Sequence, residues 1–180
     1  MTQPDESRRD TALSEVREGE LRIARDGTWY HEGRPIRRRE LVKLFSTVLT
    51  RDESGAFFLK TPVETCPIAV EDAPFVALEL EAEGEGAAQT LAFRTNLDSW
   101  VEAGPDHPLR VEIDSDSGEP RPYILVTEAP AGGLEALLLR PVFYRLVELA
   151  VPGNGDQADK VGVWSRGVFY PLGPLPAEAG

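Results

Sequence analysis

The chain has 180 residues, 41% of them hydrophobic, enough for the core of one compact domain or two small ones. Nineteen Lys and Arg against 31 Asp and Glu give a net charge of -12, which disfavours long nucleic acids and anionic membranes as partners. The single cysteine, Cys66, excludes an intrachain disulfide, and no apolar run approaches the roughly 20 residues that cross a bilayer.

Residues 1–18 are polar and charged, with only Leu13 and Val16 as sizeable apolar side chains; they predict a flexible arm. The opening "MTQPDESRRD" lacks the apolar segment of a secretory signal, so the cytoplasm is the expected compartment. "LRIARDGTWYHEGRPI" alternates apolar and polar residues around Asp26-Gly27 and predicts a hairpin. Leu41, Leu44, Phe45, Val48 and Leu49 recur at helical spacing and predict a helix that ends before "RDESG". "AFFLKTPVE" and "CPIAVEDAPF" are short extended segments whose prolines, at 62, 67 and 74, point to edges or bulges.

A run of strands follows. "FVALELEAEGEGAAQTLAFRTN" predicts two strands about a Gly-rich turn, and "LRVEID" with "PYILVT" a second hairpin. "LEALLLR" is strand or helix by periodicity, but Pro141 suits a first helical position, so a second helix is placed from there with Val142, Phe143, Leu146, Val147 and Ala150 buried. "PGNGDQAD" is a loop, "KVGVWSRGVFYPLG" a hairpin across Ser165-Arg166-Gly167, and residues 174–180 a flexible tail.

"RPVFYRLV" at 140–147 echoes "RRELVKLF" at 38–45. With Arg38 on Arg140, each helix precedes a turn and a Gly-led aromatic strand, "GAFFL" or "GVFYPL". A shift of three residues, close to one helical turn, fits almost as well and leaves the register open.

The strings "DGTWYHEGRPIRRRELVKLFSTVL", "TPVE", "VEDAPF", "TNLD", "PYILV", "GLEALLLRPVFYRLVEL" and "GVWSRGVFYPLG", in that order over about residues 20–173, resemble the bacterial domain-of-unknown-function family 1285. The resemblance implies an α+β protein of two small domains related by duplication, here at 19–73 and 74–173. Each would be a mostly antiparallel sheet with a packed helix, and the second would be pleckstrin-homology-like. It also implies a pocket between the domains for a nucleotide-like ligand in a signalling role, with a link to oxidative stress. No enzymatic activity is established for the family. Here "RRE" stands where the pattern has an Arg-Pro pair, so Arg39 departs from it and Arg38 keeps it.

Within that frame, Arg38 and Arg140 begin the two helices, where N–H donors and a guanidinium fork together suit a phosphate. An ion pair with Glu64 or Asp72 explains them equally well. Thr61, Glu64 and Asp72 lie beside strands, from which polar groups orient a ligand or merely close turns. Tyr144 and Trp164 offer faces for a base, with core packing the commoner role. Asn96 and Asp98 of "TNLD" could read polar edges or end a strand. A Cys66 thiolate with His31 or His107 would be a nucleophile and base, but Cys66 beside Pro67 reads as apolar packing.

Two histidines and one cysteine do not spell a four-ligand zinc site, and phosphate-loop and dinucleotide fingerprints do not occur. The expectation is therefore a cytoplasmic ligand-binding or signalling module with a small anionic, nucleotide-like ligand. Arg38 and Arg140 would hold phosphate, Tyr144 and Trp164 would stack, and Thr61, Glu64 and Asn96 would orient. No catalytic residue, metal or cofactor is assigned. The alternatives are a protein-interaction adaptor and a hydrolase using Glu64 and Asp72.

Overall fold

The structure, a computed structural model, describes residues 20–129 and 132–177; the expected arm at 1–18 lies outside them. The chain divides into two units, one of residues up to Pro74 with Thr127–Leu134, the other of Phe75–Val126 with Glu135–Gly180.

In the first unit the predicted hairpin forms. Strands β1 (Leu21–Ile23) and β2 (Trp29–His31) pair antiparallel in the register Leu21↔His31, Arg22↔Tyr30, Ile23↔Trp29. Gly27 takes φ 85° in the turn, a conformation glycine adopts without a steric penalty. Alternation sorts the faces: Leu21, Ile23 and Trp29 are buried, while Arg22 lies over the Tyr30 ring at 4.2 Å on the other side. The chain turns back through Glu32 and Gly33, at φ 50° and 76°, into β3 (Arg34–Pro35).

Helix α1 (Arg39–Ser46) buries Val42 and Phe45, and Phe45 stacks on Trp29 with ring centroids 6.2 Å apart. It stops one turn short of the predicted stripe. Ser46 and Thr47 hydroxyls donate to the carbonyls of Lys43 and Leu44, each at 2.7 Å, and this back-bonding weakens continuation of the helix. Leu49 instead opens β4 (Leu49–Arg51), which pairs antiparallel with β5 (Phe57–Lys60), and β5 with β6 (Thr65–Val70). β6 closes parallel on β1 through Arg22↔Ala69 and Ile23↔Val70 alone. Pro67 therefore sits where β6 has only β5 as a ladder neighbour, the edge-like setting its missing N–H calls for.

The second unit begins with β7 (Phe75–Glu83), β8 (Thr90–Thr95) and β9 (Trp100–Glu102), an antiparallel meander; β9, only three residues long, was not signalled by the sequence. β10 (Leu109–Ile113) and β11 (Pro120–Thr127) make the expected hairpin. The ambiguous "LEALL" is strand β12 (Leu134–Leu138), paired parallel with β7 through Ala136↔Phe75, Leu137↔Val76 and Leu138↔Ala77.

Helix α2 (Arg140–Glu148) starts as Pro141 indicates and buries Val142 and Leu146. Of the other side chains expected inside, Val147 is 47% exposed and Phe143 and Ala150 are half-buried, because the inward stripe of this helix is narrower than its run of apolar residues. β13 (Val151–Pro152), β14 (Lys160–Ser165) and β15 (Val168–Pro174) complete a third meander, with the predicted turn at Arg166 and Gly167, φ 50° and 78°. Leu91, Phe93, Ile124, Leu146 and Val163 are fully buried, each such side chain contributing about 1.5–3 kcal/mol.

The two six-stranded sheets repeat one plan. The first runs β3-β2-β1-β6-β5-β4; the second, read from its other edge, runs β9-β8-β7-β12-β11-β10. In both, two antiparallel meanders meet along a central parallel pair. The helices occupy different places: α1 connects the two meanders of its sheet, whereas α2 follows the second meander and leads to the third. The echoed strings therefore fall on non-equivalent strands, "GAFFL" on the second strand after its helix and "GVFYPL" on the third. The protein is thus an α+β fold of mostly antiparallel sheet, with two α-helices among the described residues, duplicated, and its curled second half fits a pleckstrin-homology-like fold.

Candidate functional site

Several of the seven residues expected at a ligand site are held within their own turns and strands. Thr61 is 7% exposed; its hydroxyl accepts from the Glu64 N–H at 3.1 Å and lies 3.3 Å from the Glu64 carbonyl, so the two residues close one turn. Asn96 Oδ1 accepts from Val76 N–H at 3.2 Å while its own N–H donates to Val76 O at 2.9 Å, tying the end of β8 to the start of β7. Asp98 beside it, at φ 60°, accepts from Arg94 at 3.0 Å. Trp164 is half-buried, with its ring edge-on to Phe169 at 5.4 Å.

The remaining three are at the surface. Arg38 is the exposed N-cap of α1, extended at φ −77°, ψ 97°, with no side-chain cap. Arg140 is the first residue of α2, preceded by Leu139, whose apolar side chain cannot cap the free N–H groups. Capping thus aligns Arg39, not Arg38, with Arg140. The Arg140 guanidinium meets Glu119 at 3.0 and 3.2 Å with side chains 72% and 62% exposed, a pair of the kind that contributes about 0–1 kcal/mol. Tyr144, one turn along the same face, is 61% exposed.

The residues weighed for catalysis have structural partners. Cys66 is buried with its thiol 3.7 Å from Pro67 O. His107 Nδ1 lies 3.0 Å from the Leu125 carbonyl, and His31 Nε2 3.2 Å from Glu20.

Sequence reasoning missed a buried polar clasp at the β14–β15 turn. Ser165, fully buried, accepts from Leu91 N–H at 2.9 Å and donates to Ala103 O at 2.7 Å. Gln89 Nε2 donates to Trp164 O at 3.0 Å, and the Gln89 backbone carbonyl accepts from Arg166 N–H at 2.9 Å. Nothing local in "WSRG" marks this serine as interior; only the return of the hairpin onto β8 does. Also unforeseen was Arg110, which Glu135 grips with two 2.7 Å bonds and Glu112 with one of 2.8 Å. Those carboxylates, Glu135 foremost, raise its pKa as it lies 4.3 Å over the Tyr123 ring.

Two openings in the second unit are lined by other residues. One of about 360 Å³ lies between β10 and β15, walled by Val111, Ile113, Pro171 and Leu172 with Asp159 and Lys160. The other, about 420 Å³, is acidic, with Glu81, Glu83 and Glu102 beside Arg145.

Two sheets of one strand order, followed by a third meander clasped by a buried serine, define a duplicated, sheet-rich protein whose second half is pleckstrin-homology-like. The chain belongs to the DUF1285 family. The family's N-terminal domain, described as a domain of unknown function, matches residues 14–73, and its C-terminal domain, described as a protein of unknown function, matches 74–172. A DUF1285 family protein from Silicibacter pomeroyi DSS-3 is 44% identical, covering 88% of this chain and 81% of its own, with a TM-score of 0.77. One from Shewanella baltica OS155 is 23% identical over 72% of this chain and 91% of its own, with a TM-score of 0.52, and shares the fold. No curated protein matches.

Proposed function

We propose that the protein is a cytoplasmic ligand-binding or signalling module that takes a small anionic, nucleotide-like ligand. The observation that supports this best is the amino end of α2. There an exposed guanidinium, a helix terminus without a side-chain cap and an exposed aromatic ring one turn away share a face. The helix dipole favours an anion, Arg140 offers a bidentate fork, and Tyr144 offers a stacking face, although Pro141 removes one N–H donor from the first turn. Glu119 is a weak competitor, since an exposed pair holds its partner by little more than thermal energy. Arg38, the exposed N-cap residue of α1, is a second cation at a helix start, one position before the equivalent of Arg140. The single cysteine fits a reducing compartment, and the link to oxidative stress comes from the family resemblance alone.

Thermal unfolding against a panel of mono-, di- and cyclic nucleotides tests this directly. A ligand present at 100 times its Kd stabilises the folded state by about 2.7 kcal/mol. The expected result is a rise in Tm with at least one nucleotide, lost in Arg140→Ala. A double-mutant cycle with Arg38→Ala then reports whether both arginines serve one ligand. No rise with any nucleotide at millimolar concentration would overturn the proposal.

A second function class has an observation of its own. Tyr144, Val147 and Val151 are 61%, 47% and 41% exposed at successive positions along and just beyond α2, a stripe suited to a protein partner. Retention of a stoichiometric partner by Arg140→Ala and its loss in Tyr144→Ser/Val147→Ser would favour the adaptor.

A further inference from the structure

The gap between β10 and β15 holds features that the α2 site does not use. Both are outer strands of their sheets, and the opening of about 360 Å³ between them falls within the size range of small-molecule pockets. Side chains two positions apart share one face of a strand. On β10 that face runs outward from buried Leu109 through half-buried Val111 to Ile113, which is 60% exposed. Pro171 and Leu172 of β15 wall the other side.

Two irregularities of β15 lie in this wall. Val161 pairs with Gly173 and Gly162 with Pro171, so Leu172 is an extra, unpaired residue, a bulge. Bulges re-aim side chains and, together with Pro171 and Pro174, blunt an edge against a further strand, which favours a small molecule over an extended peptide. The two glycines beside the bulge differ. A Cβ on Gly162 would stand 2.2 Å from Tyr170 O, so packing requires that glycine; a Cβ on Gly173 would meet nothing within 4 Å, and Gly173 does not take a positive φ. Neither packing nor backbone geometry calls for glycine at 173. Its missing side chain leaves room in the wall of the opening, as a close-approaching ligand needs.

Charge then selects the ligand. Among the described residues, neither the half-buried Lys160 nor the exposed Asp159, both at this opening, has a side-chain hydrogen bond or ion pair. A half-buried ammonium beside apolar walls gains from an acceptor that its own chain does not supply. A simple anion meets repulsion from Asp159 and a simple cation from Lys160, whereas a zwitterion satisfies both. We propose that this opening binds a free α-amino acid with an apolar side chain. Lys160 takes its carboxylate, Asp159 its ammonium, and Val111, Ile113, Pro171 and Leu172 its side chain.

Amide and methyl NMR of the full-length protein, titrated with L-leucine, L-methionine and L-phenylalanine, tests the site. At least one of the three should shift the signals of Ile113, Leu172 and Gly173 saturably. Glycine lacks the apolar body, and N-acetyl-L-leucine and L-leucinamide each lack one charge; all should bind on the order of tenfold more weakly or less. Gly173→Val fills the space without a clash, so it should leave Tm unchanged and abolish the response. Lys160→Gln should weaken binding on the order of tenfold and reads the same site through charge rather than volume. No saturable shift with any of the three amino acids at millimolar concentration would overturn the proposal. So would N-acetyl-L-leucine binding as well as L-leucine, or an undiminished response in Lys160→Gln.

Discussion

The turn clasp at Ser165 and the amino end of α2 lie in the same unit, yet they use polar groups in opposite ways. Ser165 is fully buried and spends both its donor and its acceptor on the chain itself. Arg140 is largely exposed and meets a solvated carboxylate. A buried polar group must be satisfied by the fold, so it is not available to a ligand; an exposed one held by a weak pair is. The contrast sorts the seven expected site residues: buried Thr61 and half-buried Glu64 and Asn96 are engaged within the fold, as Ser165 is, half-buried Trp164 packs on Phe169, and Arg38, Arg140 and Tyr144 are exposed.

Breaking the buried side of the contrast should cost most. Ser165→Ala strands the Leu91 N–H and the Ala103 carbonyl in the interior, a loss of about 2–3 kcal/mol, measurable by urea unfolding and by faster hydrogen exchange at Leu91. Asn96→Ala leaves Val76 N–H without its side-chain acceptor and should cost about 1–2 kcal/mol, with exchange quickening first where β7 meets β8.

Acid sharpens the comparison at the turns. The Ser54 hydroxyl, then the N–H groups of Ala56 and Ser54, hold the Asp52 carboxyl below its ordinary value. The N–H groups of Ser117 and Asp116 do the same for Asp114. Because the folded values are lowered, this stability is present above the unfolded carboxylate pKa of about 4 and is lost as the pH falls through the folded values. Tm measured from pH 6 down to pH 2 should fall less steeply in Asp52→Asn/Asp114→Asn than in the parent chain. Arg140→Ala should have the smallest effect on stability, within about 0.5 kcal/mol.

Much of the sheet was legible because alternation and turn chemistry are local. Asp26-Gly27 and Arg166-Gly167 both form the hairpins they signal, and Pro141 marks the start of α2. Non-local pairing was not legible. The parallel joins of β1 with β6 and β7 with β12 link strands dozens of residues apart, and only they reveal that the sheets, rather than the echoed helix strings, are the repeated unit. The length of α1 was misread because Val48 and Leu49 continue a helical stripe while Ser46 and Thr47 end it. Val147 was misplaced for a related reason: periodicity names apolar residues without saying how wide a face the neighbouring elements cover.

At the candidate site, residue types were readable and their engagement was not. Thr61 and Glu64 are three positions apart and close on each other, as turn-forming residues do. Ser165 gave no local sign of its burial, and Glu20 meets His31 only through the register of β1 with β2.

Calorimetric titration of the nucleotide that most raises Tm, into the parent chain and into Arg140→Ala at matched stability, tests the central claim most directly. Saturable binding to the parent, weakened on the order of tenfold or more in the variant as expected for a lost charge-assisted contact, is the predicted result. Equal affinity in the two proteins, or no heat with either, would contradict it.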